Sequence, residues 1–366
     1  MEFITIELRP RLQSCTVFLF MQKEIIFDKV QIKLLEESII LSIGKNVTNI
    51  SLPNIRIIPS SLSSLNVTNR WICFRLHTQP LESEFGSFQR EVVTNAKAQF
   101  KTLEQTLNKK QVLFKNSKCT ILCTCCKNVC SNNICFKRVL PFPNIDFDPS
   151  EWFCCKKDVN FTELLHPNEV DHFYGPFFSI LHSNIFKNYI KDKKNILCNR
   201  CLLNIGIQFE NNSFKIWDSS VDYKFETDQI IIKEASNSLH DFMTVIKSSI
   251  SDNIFGEIIL ECLSATQAHY IVIKPMDVRL KLLVEANVTC SSNNICLKEI
   301  FVIKILYKYG TDIMILPKES YINAKNYQVT LSMIEAGLNH LLLSTKRFPR
   351  YYRTIEDYYI GFINIE

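Results

Sequence analysis

Leu197-Cys198-Asn199-Arg200-Cys201-Leu202-Leu203-Asn204-Ile205-Gly206 sets two thiols on one tight turn and reaches a glycine soon after. Cys123-Thr124-Cys125-Cys126, upstream, repeats the Cys-x-x-Cys spacing. Together the pairs supply four thiolates, the closed tetrahedral set of a structural zinc site. The predicted metal ligands are therefore Cys123, Cys126, Cys198 and Cys201, and Gly206 is read as the residue that lets the chain reverse after the second turn. Such a site ties two distant points and displays the chain between them as one excursion. The competing reading is incidental clustering, because Cys119, Cys125, Cys130 and Cys135 crowd the first pair. A thioredoxin-like redox role fits less well, since neither pair follows a strand and opens a helix in a βαβ pattern.

The chain has 366 residues, of which 46% are hydrophobic and 22% charged, so it can bury real cores. Its net charge of +5 is small and scattered, with only short basic runs at Lys156-Lys157 and Lys191 to Lys194, which argues against direct nucleic-acid binding. Glu2, Glu7, Arg9 and Arg11 interrupt the N-terminus, so no signal peptide is expected, and no apolar run is long enough for a membrane helix. The expected location is the cytoplasm and the nucleus. Its 15 cysteines, an odd number, should then be mostly reduced thiols. Eight glycines leave little room for a phosphate-cradling loop.

The first third reads as strands. Ile4, Ile6 and Leu8 alternate with polar residues, as do Ile39, Leu41 and Ile43, and Ile72, Phe74 and Leu76. Phe85 to Lys110 is polar with a weak helical pattern. Toward the C-terminus, Gln229 to Ile232 reads as a strand and Ser236 to Ile250 as a helix, with Leu239, Phe242, Met243, Ile246 and Ile250 on one face and Ser238 and Asp241 as a capping box. Val278 to Val284 alternates as a strand. Phe301 to Leu306 and Ile313 to Leu316 flank a turn at Tyr309 to Asp312, and Ile334 to Thr345 marks a final helix. The predicted fold is α+β. It comprises an N-terminal antiparallel β domain (1–84), a helix-bearing linker (85–118), a central four-cysteine zinc-ribbon-like module (119–210) with a long inserted loop at 141–171, and a C-terminal α+β domain (211–366).

The inserted loop carries the second constellation, Glu151-Trp152-Phe153-Cys154-Cys155, after a stiff Pro141-Phe142-Pro143 and before His166-Pro167. Trp and Phe are typical interface anchors. Vicinal cysteines do not readily share one metal but can present one thiolate outward. The alternative is that the aromatics pack on the zinc module with cysteine as small apolar filler. His166, His172 and His182 have no metal-ligand spacing and read as structural. Cys262, among apolar residues, reads as core.

In order along the chain, Phe74 to Gln79, the Cys123/Cys126 turn, Arg138 to Pro143, Glu151-Trp152 with Cys154-Cys155, Leu165 to Pro167, Gly175 to Phe178, Cys198 to Cys201 with Gly206, and the tail from Phe348 to Ile363 resemble the HECT-like, ubiquitin-conjugating-enzyme-binding family of ubiquitin ligases. The resemblance implies a ubiquitin-protein transferase that binds a conjugating enzyme and promotes ubiquitin transfer to substrates and to itself. It places the conjugating-enzyme-binding segment at 230–252, with Leu239, Phe242, Met243 and Ile246 as candidate contacts. It further implies that the 141–171 loop docks through Trp152, Cys154, Cys155, His166 and Pro167 on the zinc-dependent endonuclease of mRNA 3′-end processing, with Cys155 on the partner's metal.

Two functions follow. One is a ubiquitin ligase. A HECT-type mechanism needs an exposed, activated thiolate, and no cysteine advertises one, so no catalytic residue is assigned; a ligase that positions the charged conjugating enzyme needs none. The other is a non-enzymatic adaptor or assembly factor that docks on the endonuclease through the thiolate loop.

Overall fold

The structure, a computed structural model, describes residues 2–26, 29–79, 112–142, 166–209, 212–226, 230–252, 256–264, 267–286, 294–312, 315 and 324–365. The predicted α+β class is not what forms: the molecule is predominantly β, and its described residues build sheets of fourteen, four and seven strands. Among the described residues only Ser238–Asp252 and Leu331–Thr345 are α-helices of 15 residues. No described helix is long and apolar enough to cross a membrane.

The physical reason for the correction lies in two long strands, Ala268–Glu285 and Asn294–Gly310, of 18 and 17 residues. They pair antiparallel along almost their whole length, with register shifts between Pro275 and Asp277 and between Asp277 and Leu280. Proline lacks the N–H that a ladder needs, so the alternation breaks there and each half reads as a separate short element. Phe301 to Leu306 is likewise only the middle of the second strand, and most of the expected return strand, Ile313 to Leu316, lies outside the described residues.

N-terminal strands add to this spine. Phe3–Arg9 pairs antiparallel with Ala268–Glu285, and Asn46–Ser51 pairs parallel with Asn294–Gly310. Side chains reinforce the join: buried Lys304 bonds Glu7 at 2.7 Å, and Arg347 donates to both oxygens of Glu285 at 2.9 and 2.6 Å and to the Ile4 carbonyl at 2.8 Å. Ile4, Ile6, Leu8, Ile39, Leu41, Ile72, Phe74 and Leu76, the residues whose alternation marks strands, are buried in one cluster.

The seven-stranded sheet runs Arg138–Pro141, Asp171–Tyr174, Phe178–His182, Ser213–Trp217, Asn204–Gln208, Asn195–Cys198, Tyr189–Asp192. Strand alternation gives it two faces. Leu181, Phe214 and Ile216 face a core shared with Ile121, Tyr223 and Phe225 of the four-stranded sheet. Phe178, Ile180 and Trp217 face a second core with Phe242, Val245 and Ile246 of the first helix and Leu260, Ile271 and Ile305 of the large sheet. The two helices pack so closely that a Cβ on Gly337 would lie 2.3 Å from the Phe242 ring. The first helix starts otherwise than the sequence suggests. Asn237 Oδ1 accepts from the N–H groups of Leu239 and His240 at 2.9 and 3.4 Å, so Asn237 is the N-cap, while Ser238 bonds Ser332 of the second helix.

Candidate metal centre and partner-binding segment

Each Cys-x-x-Cys pair grows from the end of a strand. Cys123 ends Lys118–Cys123 and Cys198 ends Asn195–Cys198. The turns that follow share one hydrogen-bond plan. The N–H of Lys127 and of Leu202 returns to the carbonyl of Cys123 and of Cys198, each at 2.9 Å. The N–H of each of those cysteines donates in turn to the carbonyl of Asn128 and of Leu203, again at 2.9 Å. Lys127 and Leu202 both take left-handed backbone angles, with φ of 55° and 60°. The chain therefore reverses at Leu202. Gly206 has a different task within its strand, where a Cβ would lie 2.4 Å from the Lys215 carbonyl oxygen.

The two turns face each other. The Sγ atoms of Cys123 and Cys201 are 3.5 Å apart, those of Cys126 and Cys198 are 3.6 Å apart, and all four lie within 4.8 Å of one another. Sulfurs about 2.3 Å from one tetrahedral ion lie roughly 3.8 Å apart, so the donor set fits a zinc-sized ion. Among the described residues this is the one metal-competent cluster. Burial opposes ionisation of Cys198, but the Arg200 and Cys201 N–H groups and the Asn128 amide outweigh it and hold this thiol down to about 6. Burial raises Cys123 and Cys126 instead, and the neighbouring thiols of Cys198 and Cys201 add to the rise. Asn128 Nδ2 spans the two turns, 3.6 Å from Cys198 Sγ and 2.8 Å from Asn199 Oδ1. Lys127 Nζ lies 2.5 Å from Asp222 Oδ2, and Asp222 Oδ1 accepts from the Ala235 N–H at 2.7 Å, linking the first turn to the approach of the first helix.

The other cysteines near the first pair are not members of the tetrad, although Cys130 lies against Cys198. Cys119 and Cys130 are buried, and burial pushes both up to about 12. Cys125 is exposed and Cys135 half-buried. Burial likewise raises Cys15 to about 12, and Cys73 and Cys262 to about 11. The expectation of reduced thiols meets an exception at Cys296, which is disulfide-bonded.

Of the predicted docking residues, Trp152, Cys154 and Cys155 lie outside the described residues; His166 is half-buried and Pro167 buried. The strands that bound the excursion are described. Arg138–Pro141 and Asp171–Tyr174 pair in parallel, and Arg138 clamps Asp171 through Nε at 3.0 Å and Nη2 at 2.5 Å. The histidines do not converge: His172 Nε2 meets Ser179 Oγ at 2.8 Å in the interior, and His182 Nδ1 accepts from the Asn184 N–H at 3.2 Å.

In the segment 230–252, Phe242 and Ile246 are fully buried and Leu239 and Met243 pack half-buried beside them. Solvent meets a different part of it, missed in reading the helical face. Ile230, Ile231 and Ile232 are 65%, 49% and 54% exposed, and among the described residues Ile231–Lys233 is an edge strand paired only with Val221–Glu226. Three consecutive isoleucines left in water at a sheet edge are unusual, and their run in the sequence was the available signal.

The family described as HECT-like ubiquitin-conjugating enzyme (E2)-binding matches residues 7–360. The chain is similar to a mouse E3 ubiquitin-protein ligase, 26% identical over 285 residues covering 76% of this chain and 68% of the relative. It is also similar to the human ligase of the same name, 24% identical over 306 residues covering 76% of this chain and 70% of the relative. No solved structure matches it. A match over nearly the whole length places the chain in the HECT-like ubiquitin-conjugating enzyme (E2)-binding family.

Proposed function

We propose that this protein is a ubiquitin-protein ligase that holds a charged conjugating enzyme through the 230–252 segment and lets ubiquitin pass from that enzyme to substrates and to itself. The match to the E2-binding family carries the reading. Within the segment, the Ile230 to Ile232 edge offers exposed apolar side chains and, among the described residues, unpaired strand backbone, a common means of docking an extended partner. Leu239, Phe242, Met243 and Ile246 serve it by fixing the helix in the core. Cys15, Cys73, Cys119, Cys130 and Cys262 are buried thiols of raised pKa, poor acceptors of a ubiquitin thioester, which favours transfer from the conjugating enzyme without a relay through them. The ion at the four-cysteine centre is read as zinc in a structural role, with Cys123, Cys126, Cys198 and Cys201 as its ligands.

The test is a reconstituted reaction with a panel of conjugating enzymes, together with Ile231→Glu and Ile232→Glu. Wild type should form ubiquitin conjugates, and each variant should bind the enzyme about tenfold or more weakly while melting at the wild-type temperature. Absence of binding and of transfer with every member of the panel would end the ligase reading. Unchanged binding by both variants would remove the isoleucine edge from it.

A further inference from the structure

On one face of the Ser213–Trp217 strand, three alternate positions carry polar side-chain atoms that make no hydrogen bond or ion pair among the described residues. Trp217 is 1% exposed, yet its Nε1 makes no hydrogen bond there. Ser213 Oγ is buried and also unbonded. Between them, the Lys215 ammonium forms no hydrogen bond or ion pair among the described residues. Its Nζ lies instead over the rings of Phe178, Trp217 and Phe177, at 4.2, 5.1 and 5.8 Å from their centroids. Buried donors are nearly always satisfied, so the buried Trp217 and Ser213 donors on either side of half-buried Lys215 call for a partner that the described residues do not supply. Asp218, the next acid in the chain, turns to the opposite face, where its Oδ1 accepts from Ser179 Oγ at 3.3 Å.

We propose that Lys215 and Trp217 form a binding site for a carboxylate borne on an apolar body. The ammonium and the indole N–H are two donors, matching the two oxygens of one carboxylate. A phosphate, with more oxygens and a second charge, would leave part of itself unbonded against aromatic rings. The walls suit an apolar body: Phe177 and Phe178 stand beside the lysine, and half-buried Phe142 meets Phe178 edge-on at 6.2 Å and Phe209 at 5.7 Å. Burial pushes Lys215 down to about 8, as expected of an ammonium held without a counter-charge. The site is independent of the conjugating-enzyme reading.

The test is a titration of the ¹⁵N-labelled full chain followed at the Trp217 indole N–H resonance, identified by its loss in Trp217→Phe. The probes are phenylacetate and, separately, a short peptide with one glutamate between two leucines; phosphate at equal concentration is the control. Saturable movement with phenylacetate points to a free small acid, and movement with the peptide alone points to a protein side chain; either supports the site. In Lys215→Met, whose apolar side chain suits the rings, affinity should fall about tenfold or more. By calorimetry, Trp217→Phe should weaken binding about threefold or more. The proposal is overturned if neither probe moves the resonance, if phosphate moves it equally, or if Lys215→Met leaves the response unchanged.

Discussion

Arg138 and Asp171 meet in a two-pronged ion pair that also receives the Asn168 N–H at 2.9 Å. Burial by itself would raise the Asp171 carboxyl, but these donors outweigh it and hold it below the usual carboxylate range. A carboxyl whose pKa is lower folded than unfolded stabilises the fold above its unfolded value, about 3.9, and that contribution fades as pH falls through the folded value. Asp171→Asn should therefore lower the urea midpoint at pH 7, and the gap to wild type should narrow as pH drops from about 5 toward 2. A gap that stays constant with pH would mean the carboxylate charge has no part in holding the strands. The sequence could not announce this pair: 33 positions separate its members, and nothing local to either residue names the other. The four thiols of the metal centre could be read because their chemistry is local to each turn and the spacing within each turn is short.

At the scale of single elements, the clearest constraint is the contact between the two helices. Phe242 fills the space that a side chain on Gly337 would need, with three ring carbons between 2.3 and 2.6 Å from the position of a Cβ. Gly337→Ala should improve local helix propensity and still destabilise the protein, by about 1–3 kcal/mol, because the ring must move. A pairing of Gly337→Ala with Phe242→Leu should recover part of the loss in a thermal melt; additive losses would show that the two do not compete for the same space. Helices and short strands were legible from periodicity. The alternations at Ile4, Ile39 and Ile72 became strands, and the pattern from Ile334 to Thr345 became part of a helix. Strand length was not legible, since the irregular stretch around Pro275 and Asp277 hides the continuity of Ala268–Glu285. Strand partners were hidden for a further reason: nothing near Thr5 says that it lies opposite Val284.

Across the whole molecule, the four-cysteine centre joins the four-stranded and seven-stranded sheets, whereas the N-terminal strands draw their order from the long spine and a separate core. Removing the ion with a chelator should thus loosen one part before the other. Hydrogen exchange should rise first in Lys118–Cys123, Asn195–Cys198 and Asn204–Gln208, while Phe3–Arg9 and Ser14–Phe20 stay protected. Metal analysis should find one ion per chain, lost in Cys198→Ser. Uniform loss of protection would show instead that the centre governs the entire fold.

The parallel pairing of Arg138–Pro141 with Asp171–Tyr174 has a geometric consequence. Parallel neighbours cannot be joined by a tight turn, because the chain must travel back past the length of the pair before it re-enters, and such crossings take about a dozen residues or more. Deletions inside the connection should be absorbed until that minimum is reached, and the next few should unzip the pair abruptly. Above the minimum, the span can be shortened, extended or exchanged for foreign sequence with its two feet still planted side by side.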